Sequence, residues 1–423
     1  MMNDICIDID YQQLYKHGQQ IGGDVFLLDR EPGSNIITAT LSDGLGSGVK
    51  ANVLASLTSH MANKLSFSPI DLNHSAEIIM DTLPIDKEKG ISYATFTIAK
   101  VIFSNDKSFI DVDLIEYDNP VSLRFSGSDP VDWDKTATRL HRKSAIKKEI
   151  VYSSSFSMRC DDRLIFFSDG VAQAGISLGK MPLRDEPKVY GGKLPSAREA
   201  VLASMNKGWG EENVREFVQN VLKRNPDISS RDLTREIVTE AYKRDNYKAN
   251  DDITCVAVHV RKPRRTLIVT GAPRNRESDK KLKSIIENYR GNVIVCGGTT
   301  AKIVARELGK AVKADRSPSG SLPPASIIEG IDLVTEGMLT LSAVSDRLTR
   351  KVLLKNMPED PARRFIKILR NTDQVEFVVG TKINDETDDP TLAAKIGVRF
   401  PLIEQMATAL RNNYLKEVEI SYL

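Results

Sequence analysis

Four short stretches set an aspartate beside small residues: Gly22-Gly23-Asp24, "LSDGLGSGVKA" with Asp43 and Gly44, "FFSDG" with Asp169 and Gly170, and "NDDIT" with Asp251 and Asp252. A lone Asp-Gly pair is ordinary turn chemistry, because Asp bonds nearby backbone and Gly accepts the bend. Placement sets these four apart. Asp24 and Asp251 precede strand-like runs, whereas Asp43 and Asp169 follow them. In an antiparallel sheet one strand starts where its neighbour ends, so all four carboxylates can share a single rim. That much negative charge calls for cations. Oxygen-only donors, with no His or Cys near them in sequence, suit Mg²⁺ or Mn²⁺. Gly44 lets a backbone carbonyl turn towards such an ion, and Gly46 and Gly48 permit a tight strand-to-helix corner.

The glycines also have a competing reading. Gly46, Gly48 and Ala51 fit GxGxxA between a strand and a helix, the setting of a dinucleotide site. That fingerprint needs a second parallel strand ending in an acid about 20 residues on. Here the helix is followed by polar "SFSPIDLNHS", which leaves Asp71 in a loop or helix cap. An acid just before the glycines would also repel pyrophosphate.

The elements that must position these residues can be read from periodicity. "DVFLLD" (24–29) and "NIITATLSD" (35–43) form a hairpin across "REPGSN". Val49, Val53, Leu57, Met61 and Leu65 recur at i+4, which predicts a helix with that apolar stripe. A second helix covers about 71–83. Long β segments follow at 93–104, joined by "NDK" to 109–125, and then at 162–170. Helices follow within 196–246, and a strand at 252–260 closes the region. Strands joined by short turns favour antiparallel layers.

Taken together, "GGDVF", "LSDGLGSGVKA", "EYDNPVSLRF", "DRLIFFSDGV" and "NDDITCVAVHV" resemble the successive motifs of the metal-dependent (PPM) serine/threonine phosphatases, in particular the bacterial SpoIIE-type branch. The resemblance spans about residues 15–260. It implies an α+β fold, an αββα antiparallel sandwich, with two divalent ions, Mn²⁺ or Mg²⁺, at one edge. Carried over motif by motif, Asp43 would bridge both ions and act in catalysis with Asp169. Asp24 and the Gly44 carbonyl would complete one metal site, Asp169 and Asp251 the other, with Asp252 as the alternative to Asp251. The branch often has His where Ser47 stands, and Ser47 does not titrate near neutral pH. The implied activity is hydrolysis of phosphoserine or phosphothreonine on a protein in bacterial signalling, by water or hydroxide bridging the two metals. The alternative is a weak or inactive phosphatase-like fold serving as a protein-binding module.

After "RKPRR" the grammar changes. "RTLIVTGAP", a helix at about 278–290, "GNVIVCGGTT" and a helix from Ala301 to Leu308 make a βαβ unit with parallel strands. The expected division is therefore 1–262, the phosphatase-like domain, and 263–423, a smaller α/β domain of regulatory or ligand-binding character. Its Gly297–Thr300 loop is a candidate for a small anionic ligand or an ordinary turn capped by Thr.

The composition narrows the partners. A net charge of +2 over 423 residues demands neither nucleic acid nor a membrane surface. No run approaches the ~20 apolar residues of a membrane span, and the start lacks signal-peptide character, so a cytoplasmic location is expected. Cys6, Cys160, Cys255 and Cys296 are scattered, without metal or disulfide spacing. The expected partner is a phosphoprotein substrate, and a homodimer is compatible with this reading.

Overall fold

The computed structural model describes residues 5–30, 34–46, 48–68, 71–84, 94–104, 108–140, 149–176, 208–382, 390–414 and 416–423. The expected turns at 31–33 and 105–107, the expected helix "SAREAVLASMN" at 196–206 and Ser47 fall outside them. The chain divides into two compact units between Lys262 and Pro263.

The first unit runs β1 (Cys6–Leu14), β2 (Asp24–Arg30), β3 (Ile36–Gly44), α1 (Val49–Ser66), α2 (Leu72–Thr82), β4 (Ala94–Phe103), β5 (Ile110–Tyr117), β6 (Leu123–Ser126), β7 (Asp129–Pro130), β8 (Thr136–Leu140), β9 (Glu149–Met158), β10 (Asp162–Phe167), α3 (Asp169–Ala172), α4 (Glu211–Arg224), α5 (Ser230–Arg244) and β11 (Ile253–Arg261). One sheet is ordered β2-β3-β4-β5-β9-β8, the other β1-β11-β10-β6-β7, and every pairing is antiparallel. Alternation puts Leu41, Val101 and Leu114 of the first sheet against Leu164, Phe166 and Val258 of the second in a shared core. On the outer faces, Ile79 and Met80 of α2 cover Phe96 and Ile98, while Val218, Leu222 and Ile237 of α4 and α5 cover Phe167 and Cys255. The result is an αββα sandwich.

Two expectations change. The first half of the expected α1 stripe faces outward, with Val49 64 % exposed, Val53 59 % and Leu57 45 %, whereas Met61 and Leu65 pack against the core beside α2. The buried face is instead Ala51, Ala55, Thr58, Ser59 and Ala62, with the Thr40 hydroxyl donating to Asn63 Oδ1 at 2.8 Å. Small side chains let the helix axis lie close to the sheet, and this close approach takes precedence over the larger apolar stripe. The segment 109–125 is also two strands rather than one. Asp118, at φ 53°, turns the chain so that β5 lies in one sheet and β6 in the other.

The second unit runs β12 (Arg265–Thr270), α6 (Arg276–Asn288), β13 (Asn292–Cys296), α7 (Gly298–Leu308), β14 (Lys313–Ala314), β15 (Ser326–Ile327), β16 (Leu333–Thr335), α8 (Met338–Thr349), α9 (Pro361–Arg370), β17 (Gln374–Val379), α10 (Pro390–Tyr414) and β18 (Glu417–Tyr422). Strands β16-β13-β12-β17-β18 are mutually parallel, with the short β15 and β14 antiparallel beyond β16. Leu282, Ile286 and Val304 of α6 and α7 pack on one face. Leu341, Phe365 and Met406 of α8, α9 and α10 pack on the other. Among the described residues no helix is long and apolar enough to cross a membrane.

Candidate metal centre

Sheet register does the first part of the assembly. Asp24 opens β2 directly across from Asp43 near the end of β3. Asp169 follows β10, and Asp251 precedes β11, the antiparallel neighbour of β10. The two sheets are tied at this edge by the Thr254 hydroxyl of β11, which donates to Asp24 Oδ2 at 2.6 Å. Within the second sheet, Ser168 just after β10 holds Thr254 in place, its N–H donating to the Thr254 carbonyl at 3.0 Å and its hydroxyl accepting from the Thr254 N–H at 3.1 Å.

Asp24 is 3 % exposed, and its Oδ1 is buried without a hydrogen-bond donor among the described residues. Burial is the main reason its pKa is pushed up to about 8. The Thr254 hydroxyl, with the Ser168 hydroxyl, pulls the other way, and the charges of Asp252 and Asp169 push further up. Asp43 is raised well above the usual carboxylate range, by burial first and then by Asp24, Asp169 and Asp251. Asp169 is raised by burial, by Asp251 and by Asp118, against hydrogen bonds from the Gly170 backbone and from Gln173, whose Nε2 donates at 2.8 Å. The four expected aspartates therefore feel one another's charge across a distance of 227 positions in the sequence, from 24 to 251.

Asp43, Gly44, Asp169 and Asp251 line a cavity of about 940 Å³, and Asp24 lies buried behind Asp43. Asp251 meets Lys16 Nζ at 3.5 Å. Asp252 does something different: its Oδ1 accepts the Lys16 N–H at 2.9 Å and its Oδ2 the Gly23 N–H at 2.5 Å, so both oxygens hold backbone. Glycines allow the chain segments to approach this closely. A Cβ on Gly44 would come within 2.1 Å of the Ala51 carbonyl oxygen, and one on Gly170 within 2.1 Å of the Asp252 carbonyl oxygen. The dinucleotide reading loses its context, because β3 is flanked by antiparallel strands on both sides. Asp71 caps α2, accepting from the Asn73 and His74 N–H groups.

The sequence reading missed the far wall of the cavity, formed by Glu116, Asp118, Asn119 and Lys135. Glu116 pairs with Lys135 and accepts the Ser122 N–H at 2.8 Å. Glu116, Asp118 and Asn119 lie in "EYDNPVSLRF", which entered above only as part of the family resemblance, and Lys135 had no sequence signal.

In chemical type the donors are those divalent cations take: all are oxygen, and one is an orphaned buried carboxylate oxygen. Among the described residues no group of three or more His, Cys, Asp or Glu side chains is placed so that it could hold a metal ion. Like charges hold such side chains apart unless a cation draws them in.

No family model matches the chain, and no curated protein matches it. Solved structures similar to it include phosphatase domains. The phosphatase domain of the cell fate determinant SpoIIE from Bacillus subtilis is 15 % identical, with 62 % of this chain and 95 % of that one covered and a TM-score of 0.39. RsbX in complex with magnesium is 16 % identical over 62 % and 98 %, with a TM-score of 0.34. The catalytic domain of the serine threonine protein phosphatase PstP in complex with two manganese ions is 12 % identical over 61 % and 100 %, with a TM-score of 0.33.

Proposed function

We propose that the first unit is a divalent-cation-dependent phosphatase that removes phosphate from phosphoserine or phosphothreonine of a protein in bacterial signalling. The observation that carries this is the buried, unpaired Oδ1 of Asp24 behind Asp43, at a rim where the charges of Asp24, Asp43, Asp169 and Asp251 meet. Asp24, Asp43 and the Gly44 carbonyl would hold one Mn²⁺ or Mg²⁺, and Asp43, Asp169 and Asp251 a second. When bound, such a pair offsets charge on phosphoryl oxygens and lowers the pKa of water.

The protein's own residues do the rest. Gln173 Nε2 holds one oxygen of Asp169 in place. Asp252 holds the Gly22–Gly23 turn, and so the start of β2, in place. No Cys or His lines the cavity among the described residues, and burial with Asp161 pushes the Cys160 thiol above its usual pKa, so attack on phosphorus falls to water. A cavity of about 940 Å³ exceeds a phosphate group and leaves room for the peptide that bears it. The test is phosphate release from p-nitrophenyl phosphate and from a phosphoserine peptide. We expect turnover that needs Mn²⁺ and that Asp43→Asn lowers by more than about 100-fold, the upper end for losing even an outer-shell metal partner. Turnover indifferent to EDTA, or to that substitution, would overturn the reading.

A further inference from the structure

In the second unit the strand order β16-β13-β12-β17-β18 reverses direction at β12. The chain steps outward through β13 and β16, then returns to the other side of β12 with β17. In parallel sheets of this kind a crevice opens beyond the carboxyl ends of the strands at the reversal, and ligands bind there. Here that position holds a cavity of about 250 Å³, walled by the ends of β12, β13 and β16, by Lys382 after β17 and by Arg399 of α10.

Three features of this cavity point to an anion. Helices α7 and α8 both begin at its wall, capped by Gly297 (φ 115°) and Gly337 (φ 136°), neither of which supplies a side-chain acceptor. Their first-turn N–H groups lack intrahelical partners, and their dipoles favour negative charge. A Cβ on Gly337 would meet Gly297 Cα at 3.1 Å, so the two helix starts are held together. Arg399 lies over Gly271, where a Cβ would come within 2.6 Å of Nη1, and its Nε is buried with no hydrogen-bond partner among the described residues. Thr300 is 2 % exposed and lines the cavity, and no polar partner among the described residues engages its side chain. The Gly298 N–H is taken by the Glu336 carbonyl at 3.0 Å, and the remaining first-turn N–H groups, a guanidinium and a buried hydroxyl make a phosphate cradle. Glu336 at the same wall repels an anion but accepts from a hydroxyl.

We propose that this cavity binds a small phosphate ester carrying free hydroxyls, such as a nucleoside monophosphate or sugar phosphate, with its phosphate on Arg399, Thr300 and the starts of α7 and α8 and a hydroxyl on Glu336. The site is independent of the phosphatase reading. Calorimetric titration of the full chain in EDTA, with AMP and separately with inorganic phosphate, tests it without cations at the aspartate rim. AMP is expected to bind with a Kd below about 1 mM, more tightly than inorganic phosphate. Arg399→Gln and Thr300→Val are each expected to weaken AMP at least about tenfold, while Asp43→Asn binds it like the parent chain. Should Arg399→Gln fail to fold, Lys382→Gln on the exposed rim is expected to weaken AMP as well. Equal affinity for phosphate and AMP would overturn the ester assignment. No saturable binding of either, or binding unchanged in Thr300→Val and in whichever cation variant folds, would overturn the site.

Discussion

At the scale of single residues, Asp251 and Asp252 are adjacent in sequence and have opposite consequences. Asp252 spends both oxygens on the Lys16 and Gly23 N–H groups, whereas Asp251 faces the cavity with a lysine as its neighbour. Asp252→Ala is expected to cost about 3 kcal/mol in urea unfolding, since two N–H groups lose a charged acceptor. Asp251→Asn is expected to leave that stability nearly unchanged and to weaken Mn²⁺ binding, as read by calorimetry. On the proposed reading, proton and cation would compete at Asp24. Its folded pKa is raised to about 8 from 3.8, so without cations its contribution is fully present below about pH 4 and is lost as pH rises through 8. Asp43 and Asp169 shift the same way. The melting temperature in EDTA should therefore fall between pH 6 and pH 8, and the gain on adding Mn²⁺ should grow over that interval. A gain equal at both pH values would contradict the coupling.

At the scale of elements, α1 shows where sequence pattern misleads. Leu57→Glu, on the outward stripe, should change unfolding free energy by no more than about 0.5 kcal/mol. Ala55→Leu, on the sheet-facing side, should cost about 1–3 kcal/mol through overpacking. Had the i+4 stripe been the buried one, the order would be reversed. Periodicity revealed that a helix was present but not which face was inside, because α1 carries two self-consistent faces, one large and apolar, one small. The rim of aspartates was legible because it depends on strand ends, which Asp-Gly pairs mark well. The wall formed by Glu116, Asp118 and Lys135 was not legible, because it depends on a chain that changes sheets at Asp118, and an Asp in positive φ looks in sequence like any other turn residue.

At the scale of the whole molecule, the two units keep separate cores and separate sheets. Residues 1–262 are expected to melt cooperatively by themselves and to show the Mn²⁺ dependence of the full chain; a non-cooperative melt would contradict their independence. In the first unit the opening strand pairs with the closing one, Cys6 against Arg261 through Leu14 against Ile253. A ribosome making this protein must therefore deliver some 250 residues before β1 finds its partner. Until then Asp24 has no Thr254 to bind it, and Gly23 no Asp252. Contacts of such long sequence separation slow folding and leave strand edges open to misassembly. A product cut short before Asp251 would carry three of the four acids and lack the Thr254 clamp that joins the sheets.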